Sequence, residues 1–169
     1  FLQTFKSFFF FILIILPKGI IFSNQKIDGE KVEFLNANPF SFFHIITDLK
    51  NQESQNAYGI LRFPEPRMKN KYPLILGVNG SKNWADHHLE YMEMYREMGF
   101  ATFEIQSFNS RNVNSTVGDQ TTVTTAMMIL DSYKALEVLG RDIRIDINNV
   151  AITGWSLRGG VAFFLLGSH

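Results

Sequence analysis

Residues 149–160 read NVAITGWSLRGG and contain the strongest local pattern in the chain. An apolar strand ends at Gly154, a serine follows two residues later, and a helix is predicted directly behind it. The turn between them is so tight that the neighbours of the serine must be small where the strand and the helix approach each other. The hydroxyl of Ser156 then projects beyond the sheet edge, where the free N–H groups of the helix N-terminus point at any oxyanion that forms. The pattern predicts a nucleophile elbow.

This turn has two other interpretations besides the elbow. A serine could occur by chance in the glycine-rich turn between a strand and a helix of some other doubly wound protein. A phosphate-binding turn fits less well, because the stretch lacks the glycine spacing followed by Lys-Ser or Lys-Thr. The indole of Trp155 would also crowd a phosphate. The elbow remains the favoured prediction.

The chain upstream of the turn alternates short apolar runs with helical patterns, which predicts an α/β fold with a largely parallel sheet. The strands are predicted at 42–46, 58–63, 74–78, 101–105 and 147–153. The helices are predicted at 86–98, 119–139 and 161–166. Within these elements, His44 is predicted in a strand, Asp119 at a helix start, and the methionines in the core.

The first 23 residues differ from the rest. Residues 8–16 read FFFFILIIL, Lys6 precedes them, and no acidic residue occurs before Asp28. Nine helical residues span roughly 14 Å, about half of a bilayer core. We therefore predict a signal peptide over 1–23 and an exported protein, with an uncleaved membrane anchor or a buried strand as alternatives. The α/β domain would occupy 24–169.

Composition excludes several classes of function. The 169 residues carry 16 basic and 16 acidic side chains, so the clustered positive charge of a nucleic-acid-binding protein is not expected. The absence of cysteine rules out a thiolate metal site and a cysteine nucleophile. His87 and His88 are adjacent, so on a helix they point about 100° apart and do not converge on one ion. We predict no metal and a solvent-exposed helix start there.

Several segments resemble one family. Residues 71–81, KYPLILGVNGS, resemble its third strand running into an oxyanion loop, and 97–102, EMGFAT, resemble its entry to the fourth strand. Residues 107–111, SFNSR, resemble a Ser-Phe-x-x-Arg segment of some members, and 145–154, IDINNVAITG, resemble the approach to the elbow. Between about residues 58 and 166 the chain is similar to the α/β-hydrolases, specifically the dienelactone hydrolase-like family.

This resemblance implies a serine hydrolase. Ser156 would attack the carbonyl of a small ester, lactone or similar acyl compound, and water would release the acyl-enzyme, with no cofactor. The backbone N–H groups of Leu157 and Ser81 would form the oxyanion hole. Arg111, in a loop at the carboxyl end of a strand, is a candidate for binding a substrate carboxylate, with a plain surface arginine as the alternative.

The chain departs from the family pattern at three positions. Ser156 stands where the namesake dienelactone hydrolases have cysteine, so lactone opening is not separated from esterase or peptidase-like chemistry. Asn79 stands where the family usually has histidine. Arg158 occupies the last glycine position of Gly-x-Ser-x-Gly. A non-catalytic α/β-hydrolase-like binding domain therefore remains an alternative. For either function we expect no membrane contact unless the first segment is an anchor.

The family also places its catalytic acid and histidine after the serine. Downstream of Ser156 the chain has no Asp or Glu, and its one histidine, His169, is too close in sequence to reach back to the hydroxyl. We therefore expect a truncated α/β-hydrolase fold that ends just after the elbow helix and is inactive by itself. The elbow strand would form an exposed apolar edge and make the fragment poorly soluble.

Overall fold

The computed structural model describes residues 29–156, which form a five-stranded sheet in the order β1-β2-β4-β3-β5. The strands are β1 (Glu30–Ala37), β2 (Ser54–Arg62), β3 (Tyr72–Val78), β4 (Ala101–Ile105) and β5 (Ile145–Gly154). The α-helices are α1 (Phe42–Thr47), α2 (Asp86–Glu97) and α3 (Thr125–Leu139). The predicted segment 1–23, the predicted helix 161–166 and residues Leu157 and Arg158 lie outside the described residues.

The sheet is mixed. β3 pairs in parallel with both β4 and β5, whereas β2 runs antiparallel to β1 and to β4. The α/β class is confirmed, and the antiparallel β2 is the departure from a purely parallel sheet. Because β1, β3, β4 and β5 all point the same way, their carboxyl ends meet at one edge, where ligands bind in open α/β sheets.

The core lies on both faces of β3 and β4. Leu74, Leu76 and Val78 of β3 are fully buried, as a continuous apolar run predicts for a strand covered on both sides. α3 covers one face through a buried stripe that includes Met128. Met92 of α2 packs close to Gly77, where no side chain keeps the two apart. The core prediction is confirmed for Met92, Met127 and Met128 and wrong for Met98, which is 62% exposed at the end of α2, while Met94 is half-buried.

The region before β2 differs from the prediction. Residues 42–46, predicted as a strand, lie in α1, so His44 is helical and half-buried. Short apolar runs lack the length that separates strand from helix, and no residue of this helix is buried. The first strand in this region is β1, and it was not predicted from the sequence. Its alternation of exposed Glu33 and Leu35 with buried Phe34 and Asn36 supplies the period of two that a strand requires.

The third helix begins later than predicted. Asp119 lies six residues before α3, in a turn where its carboxylate accepts hydrogen bonds from the Thr121 hydroxyl and N–H. These two bonds lower the pKa of Asp119. The helix begins after Thr124, whose hydroxyl oxygen accepts the N–H of Met127 at 3.2 Å. Threonine and aspartate can both accept a free N–H at a helix start, so the residue types alone did not show that Thr124, rather than Asp119, is the N-cap.

β5 forms one outer edge of the sheet within residues 29–156. Its middle residues, from Ile147 to Asn149, are exposed. An edge strand presents a row of backbone N–H and C=O groups to which another strand can hydrogen-bond. In the part of the chain that the structure describes, no helix combines the length and the apolar character needed to cross a bilayer.

Candidate functional site

Ser156 adopts an unusual backbone conformation at the end of β5. The strand stops at Gly154, and two residues later the backbone of Ser156 has φ of +62° with its side chain exposed. A residue with a Cβ atom pays a steric cost at positive φ, so such residues are uncommon outside turns held by their surroundings. Strain of this kind concentrates at functional sites.

The loop after β3 lies directly against this turn. The parallel register pairs Gly77 with Thr153 and Val78 with Gly154, so both strands deliver their next residues to the same point. A Cβ atom placed on Gly80 would lie 3.7 Å from Cβ of Ser156 and 3.5 Å from the carbonyl oxygen of Trp155. The sequence segments that the resemblance assigned to the oxyanion loop and the nucleophile are therefore neighbours.

Asn83 holds the shape of the loop after β3. Its N–H donates to the Gly80 carbonyl at 3.0 Å, and its own backbone is left-handed, with φ of +68°. The Asn83 side-chain oxygen accepts the N–H of Trp84 at 2.9 Å. The indole Nε1 of Trp84 in turn donates to the carbonyl of Ile105 at 2.8 Å, which fixes the loop to the end of β4.

Ser81, the predicted oxyanion donor, sits half-buried in this loop. Its carbonyl accepts the N–H of Thr116 at 2.9 Å and the hydroxyl of Ser115 at 3.1 Å, so the segment after β4 supports it. The second predicted donor, Leu157, lies outside the described residues. The assignment of these two N–H groups to an oxyanion hole stays a prediction.

Asn79, where the family usually has histidine, is fully buried at the start of the loop. Its side-chain N–H donates to Oδ1 of Asn83 at 3.0 Å, and Asn83 donates to Asn109 at 2.7 Å. Asn109 continues the chain of amides to Gln106 at 2.7 Å. Among the described residues no donor reaches Oδ1 of Asn79. The amide chain gives this position a structural partner in place of an imidazole.

Trp155, the residue before the serine, is covered by an aromatic cluster. Its ring centroid lies 4.5 Å from that of His88, 5.6 Å from that of Trp84 and 6.4 Å from that of Tyr91. The prediction of a solvent-exposed helix start is correct for His87 and wrong for His88, which is only 6% exposed. The indole of Trp155 covers His88, and a single sequence does not reveal that contact.

The buried face of α2 is shifted from the predicted one. The apolar pattern of this helix predicts a buried face through Leu89, Met92 and Tyr95, whereas the buried residues are His88, Met92 and Arg96. Spacing by four from Met92 would have identified His88 and Arg96, but both residue types are usually exposed. Burial lowers the pKa of His88, and the neighbouring His87 lowers it further.

The side chain of Arg111 is only 5% exposed, so Arg111 is not the plain surface arginine that was the alternative. Its guanidinium donates to both carboxylate oxygens of Asp131, at 2.7 and 3.0 Å, and the Asp131 side chain is fully buried. It also donates to Oδ1 of Asn38 at 2.8 Å and to the Ser107 carbonyl at 2.9 Å. Asn36 donates a further bond to Asp131 at 2.6 Å. These contacts favour a structural role over binding a substrate carboxylate.

Within residues 29–156, no group of three or more His, Asp or Glu side chains is arranged to hold a metal ion. The described loop residue beside Ser156 is Gly80, which Asn79 and Ser81 flank in the chain. Backbone N–H groups at such a point suit the recognition of a polarised carbonyl.

Comparison with known proteins identifies the fold. No family model matches the chain, and no curated protein matches it in sequence. A Klebsiella pneumoniae structure assigned as a dienelactone hydrolase is similar with a TM-score of 0.56 and 12% identity, over 83% of this chain and 56% of the other. Est1E from Butyrivibrio proteoclasticus gives 0.51 and 16%, over 66% and 40%. The esterase Est22 gives 0.53 and 14%, over 80% and 37%.

At these identities the similarity shows the fold alone, which is the α/β-hydrolase fold of these structures. The predicted fold class is confirmed. The chain spans between 37 and 56% of the length of these three structures.

Proposed function

We propose that this chain is part of a serine hydrolase that cleaves a small ester, lactone or similar acyl bond through an acyl-enzyme on Ser156. The observation that carries the proposal is the backbone of Ser156, held at φ of +62° directly after β5 and beside Gly80. A strained serine at a strand end, next to a glycine loop, is the arrangement that presents a nucleophile to a bound carbonyl.

In the proposed reaction, Oγ of Ser156 bonds to the carbonyl carbon and its proton passes to a general base. The oxyanion that forms accepts hydrogen bonds from the N–H groups of Ser81 and Leu157. The bond from the carbon to the leaving oxygen then breaks, and the leaving alcohol takes up the proton. Water adds to the acyl-enzyme, the carboxylic acid departs, and the serine hydroxyl is restored.

The general base is not His88. The N–H of Ala85 donates to Nδ1 of His88 at 3.2 Å, so the lone pair of the neutral ring is occupied and Nε2 carries the proton. By the resemblance, the histidine and the acid of the triad follow the nucleophile in the chain, beyond the described residues. The activity proposed here is therefore that of the whole protein.

The proposal is tested by labelling the full-length protein with a serine-reactive fluorophosphonate and reading the adduct by intact mass. We expect one adduct, lost in Ser156→Ala and retained in Ser54→Ala, which removes an exposed hydroxyl at the start of β2. Hydrolysis of a p-nitrophenyl ester and of a small lactone, assayed separately, then defines the substrate class.

A protein that folds but takes no label would favour the non-catalytic binding domain instead. A label that survives Ser156→Ala would place the nucleophile elsewhere. Either result overturns the assignment of Ser156.

A further inference from the structure

His88 links the start of α2 to the turn that carries Ser156. Its ring lies 4.5 Å from the ring of Trp155 with 30° between their planes, a tilted stack. A Cβ atom on Gly80 would lie 3.7 Å from both Cε1 of His88 and Cβ of Ser156. His88 therefore touches the residue before the serine and lies across the glycine from the serine itself.

The hydrogen bond of His88 fixes its protonation state. At the third position of α2, Nδ1 accepts the N–H of the N-cap residue Ala85 at 3.2 Å, as a glutamate or glutamine does in a capping box. A proton on Nδ1 would face that N–H donor and break the bond. The site thus accommodates the neutral ring and disfavours the cation.

We propose that neutral His88 is a positioning residue, which stacks on Trp155 and thereby holds the following residue, Ser156, in its strained reactive conformation. The proposal rests on the proposed function only in taking Ser156 as the nucleophile. The physical basis of the proposal is that a residue with a Cβ atom keeps a costly positive φ only where surrounding contacts fix its backbone. Among residues 29–156, Trp155 is the neighbour of Ser156 in sequence, and its ring contacts are the ones through which the fold can apply that constraint.

Protonation of His88 is expected to break its hydrogen bond from the Ala85 N–H and so to disturb the position of the ring on Trp155. The titratable neighbour on α2 is His87, whose ring lies 4.1 Å away. On the other sides the described contacts are the indoles of Trp84 and Trp155 and the backbone of Gly80, and none of these carries a charge. Burial and His87 both lower the pKa of His88, so the transition falls on the acid side of an ordinary histidine.

The first test needs no activity. The chain has two tryptophans, and both rings contact His88, at 4.5 and 6.0 Å. A histidinium against an indole quenches its emission, so we expect the emission of these two tryptophans in the full-length protein to fall as the pH is lowered from about 8 to about 5, with a midpoint below about 6.5. The transition should persist in Trp84→Phe and His87→Gln and vanish in His88→Phe, while near-UV circular dichroism stays constant.

The second test separates the stack from the helix cap. His88→Phe keeps an aromatic ring on Trp155 and loses the acceptor, whereas His88→Gln keeps an acceptor for Ala85 and loses the ring. In the full-length protein we expect fluorophosphonate labelling of Ser156 to stay within about twofold in His88→Phe and to slow by at least about tenfold in His88→Gln. In His88→Phe the acid-side fall of the labelling rate should lose the component that follows the emission transition and keep only the component that comes from the general base.

The reverse pattern, a slow Phe variant and an unaffected Gln variant, would show that His88 only caps α2 and would overturn the proposal. So would an emission that does not titrate in the folded wild-type chain, or equal labelling in all three proteins. Failure of the proposed function is a separate result, because it appears as labelling that survives Ser156→Ala and leaves the emission titration unchanged.

Discussion

Two of the turns at the carboxyl edge of the sheet, the one after β4 and the one after β5, are held in opposite ways. The turn after β4 leads to Arg111, whose guanidinium is bound on several sides by the buried Asp131 and its neighbours. The turn after β5 carries Ser156, which is exposed and strained, and its described support is aromatic packing on Trp155.

This difference separates a charged residue that serves the fold from a polar residue that is available for chemistry. Arg111 is a charged side chain near a candidate active site, yet its donors are already occupied by groups that are themselves buried. Ser156 has the opposite properties, an accessible hydroxyl on a backbone that costs energy to maintain. Position at the carboxyl edge is shared by both residues, so burial and hydrogen-bond occupancy decide which of them can meet a substrate.

The largest effect on stability is expected at the turn after β4. Arg111→Ala leaves Asp131 buried without its cation, which typically costs about 3–5 kcal/mol of the free energy of unfolding. Urea denaturation measures the change. The matched control is Arg141→Ala, which removes an exposed pair with Glu137 and should leave the urea midpoint nearly unchanged because water screens this pair.

If Arg111→Ala does not fold, Arg111→Lys keeps the charge and loses the fork of donors, and it should give a smaller and measurable loss. A stable Arg111→Ala protein with an unchanged denaturation midpoint would contradict the structural role. Arg111 would then return as a candidate for substrate binding.

The second prediction concerns the turn after β5, where a substitution should raise the free energy of unfolding instead of lowering it. Ser156→Gly removes the Cβ atom that makes φ of +62° costly, and the flexibility of glycine in the unfolded chain offsets part of the gain. We expect the free energy of unfolding to rise by about 0.5–1 kcal/mol while fluorophosphonate labelling disappears. Asn112→Gly is the control, since asparagine already tolerates its φ of +54° and should gain less.

The third prediction concerns the opposite end of β5, where the ion pairs are open to water. Arg144 donates to Glu30 and to Asp142, and these hydrogen bonds lower the pKa of both carboxyl groups. A lowered pKa in the folded state stabilises the protein above the ordinary carboxyl range, and this stabilisation is lost as the pH falls through the lowered values.

Arg144→Gln should therefore reduce the melting temperature at neutral pH and make little difference near pH 2. The gap between wild type and variant should close as the pH falls below about 4.5. The effect should be smaller than that of Arg111→Ala because water screens these groups. A gap that stays constant across the acid range would show that Arg144 acts through its packing on Phe63 instead.

The sequence predicted the parts of the molecule that local patterns determine. The continuous apolar run at 74–78 predicted a strand buried on both faces, and it forms most of β3. The strand before Ser156 was also recovered, because an apolar strand followed by Gly-Trp-Ser is a local signal. The strand predicted at residues 42–46 was wrong, because a five-residue apolar run does not distinguish a strand from a short helix such as α1.

Long-range contacts explain what the sequence could not predict. Arg111 and Asp131 are twenty residues apart on different elements, and their pairing depends on how α3 packs across the sheet. The burial of His88 depends on Trp155, which is brought to α2 only when β5 pairs with β3. Alternation in one sequence shows which face of an element is apolar, but it does not show which polar residue the fold encloses.

The smallest effect on stability is expected for Gly80→Ala, beside Ser156. A new Cβ atom there meets Trp155, His88 and Ser156 at 3.5 to 3.7 Å, which is ordinary contact, so the free energy of unfolding should change by under about 0.5 kcal/mol. The added methyl group nevertheless fills space beside the serine and should slow fluorophosphonate labelling of the full-length protein. Gly77→Ala gives the contrast, because its Cβ would lie 2.8 Å from Met92 and from Trp84 and must displace them. If Gly80→Ala labels at the wild-type rate, the space beside Gly80 is not where the acyl group binds.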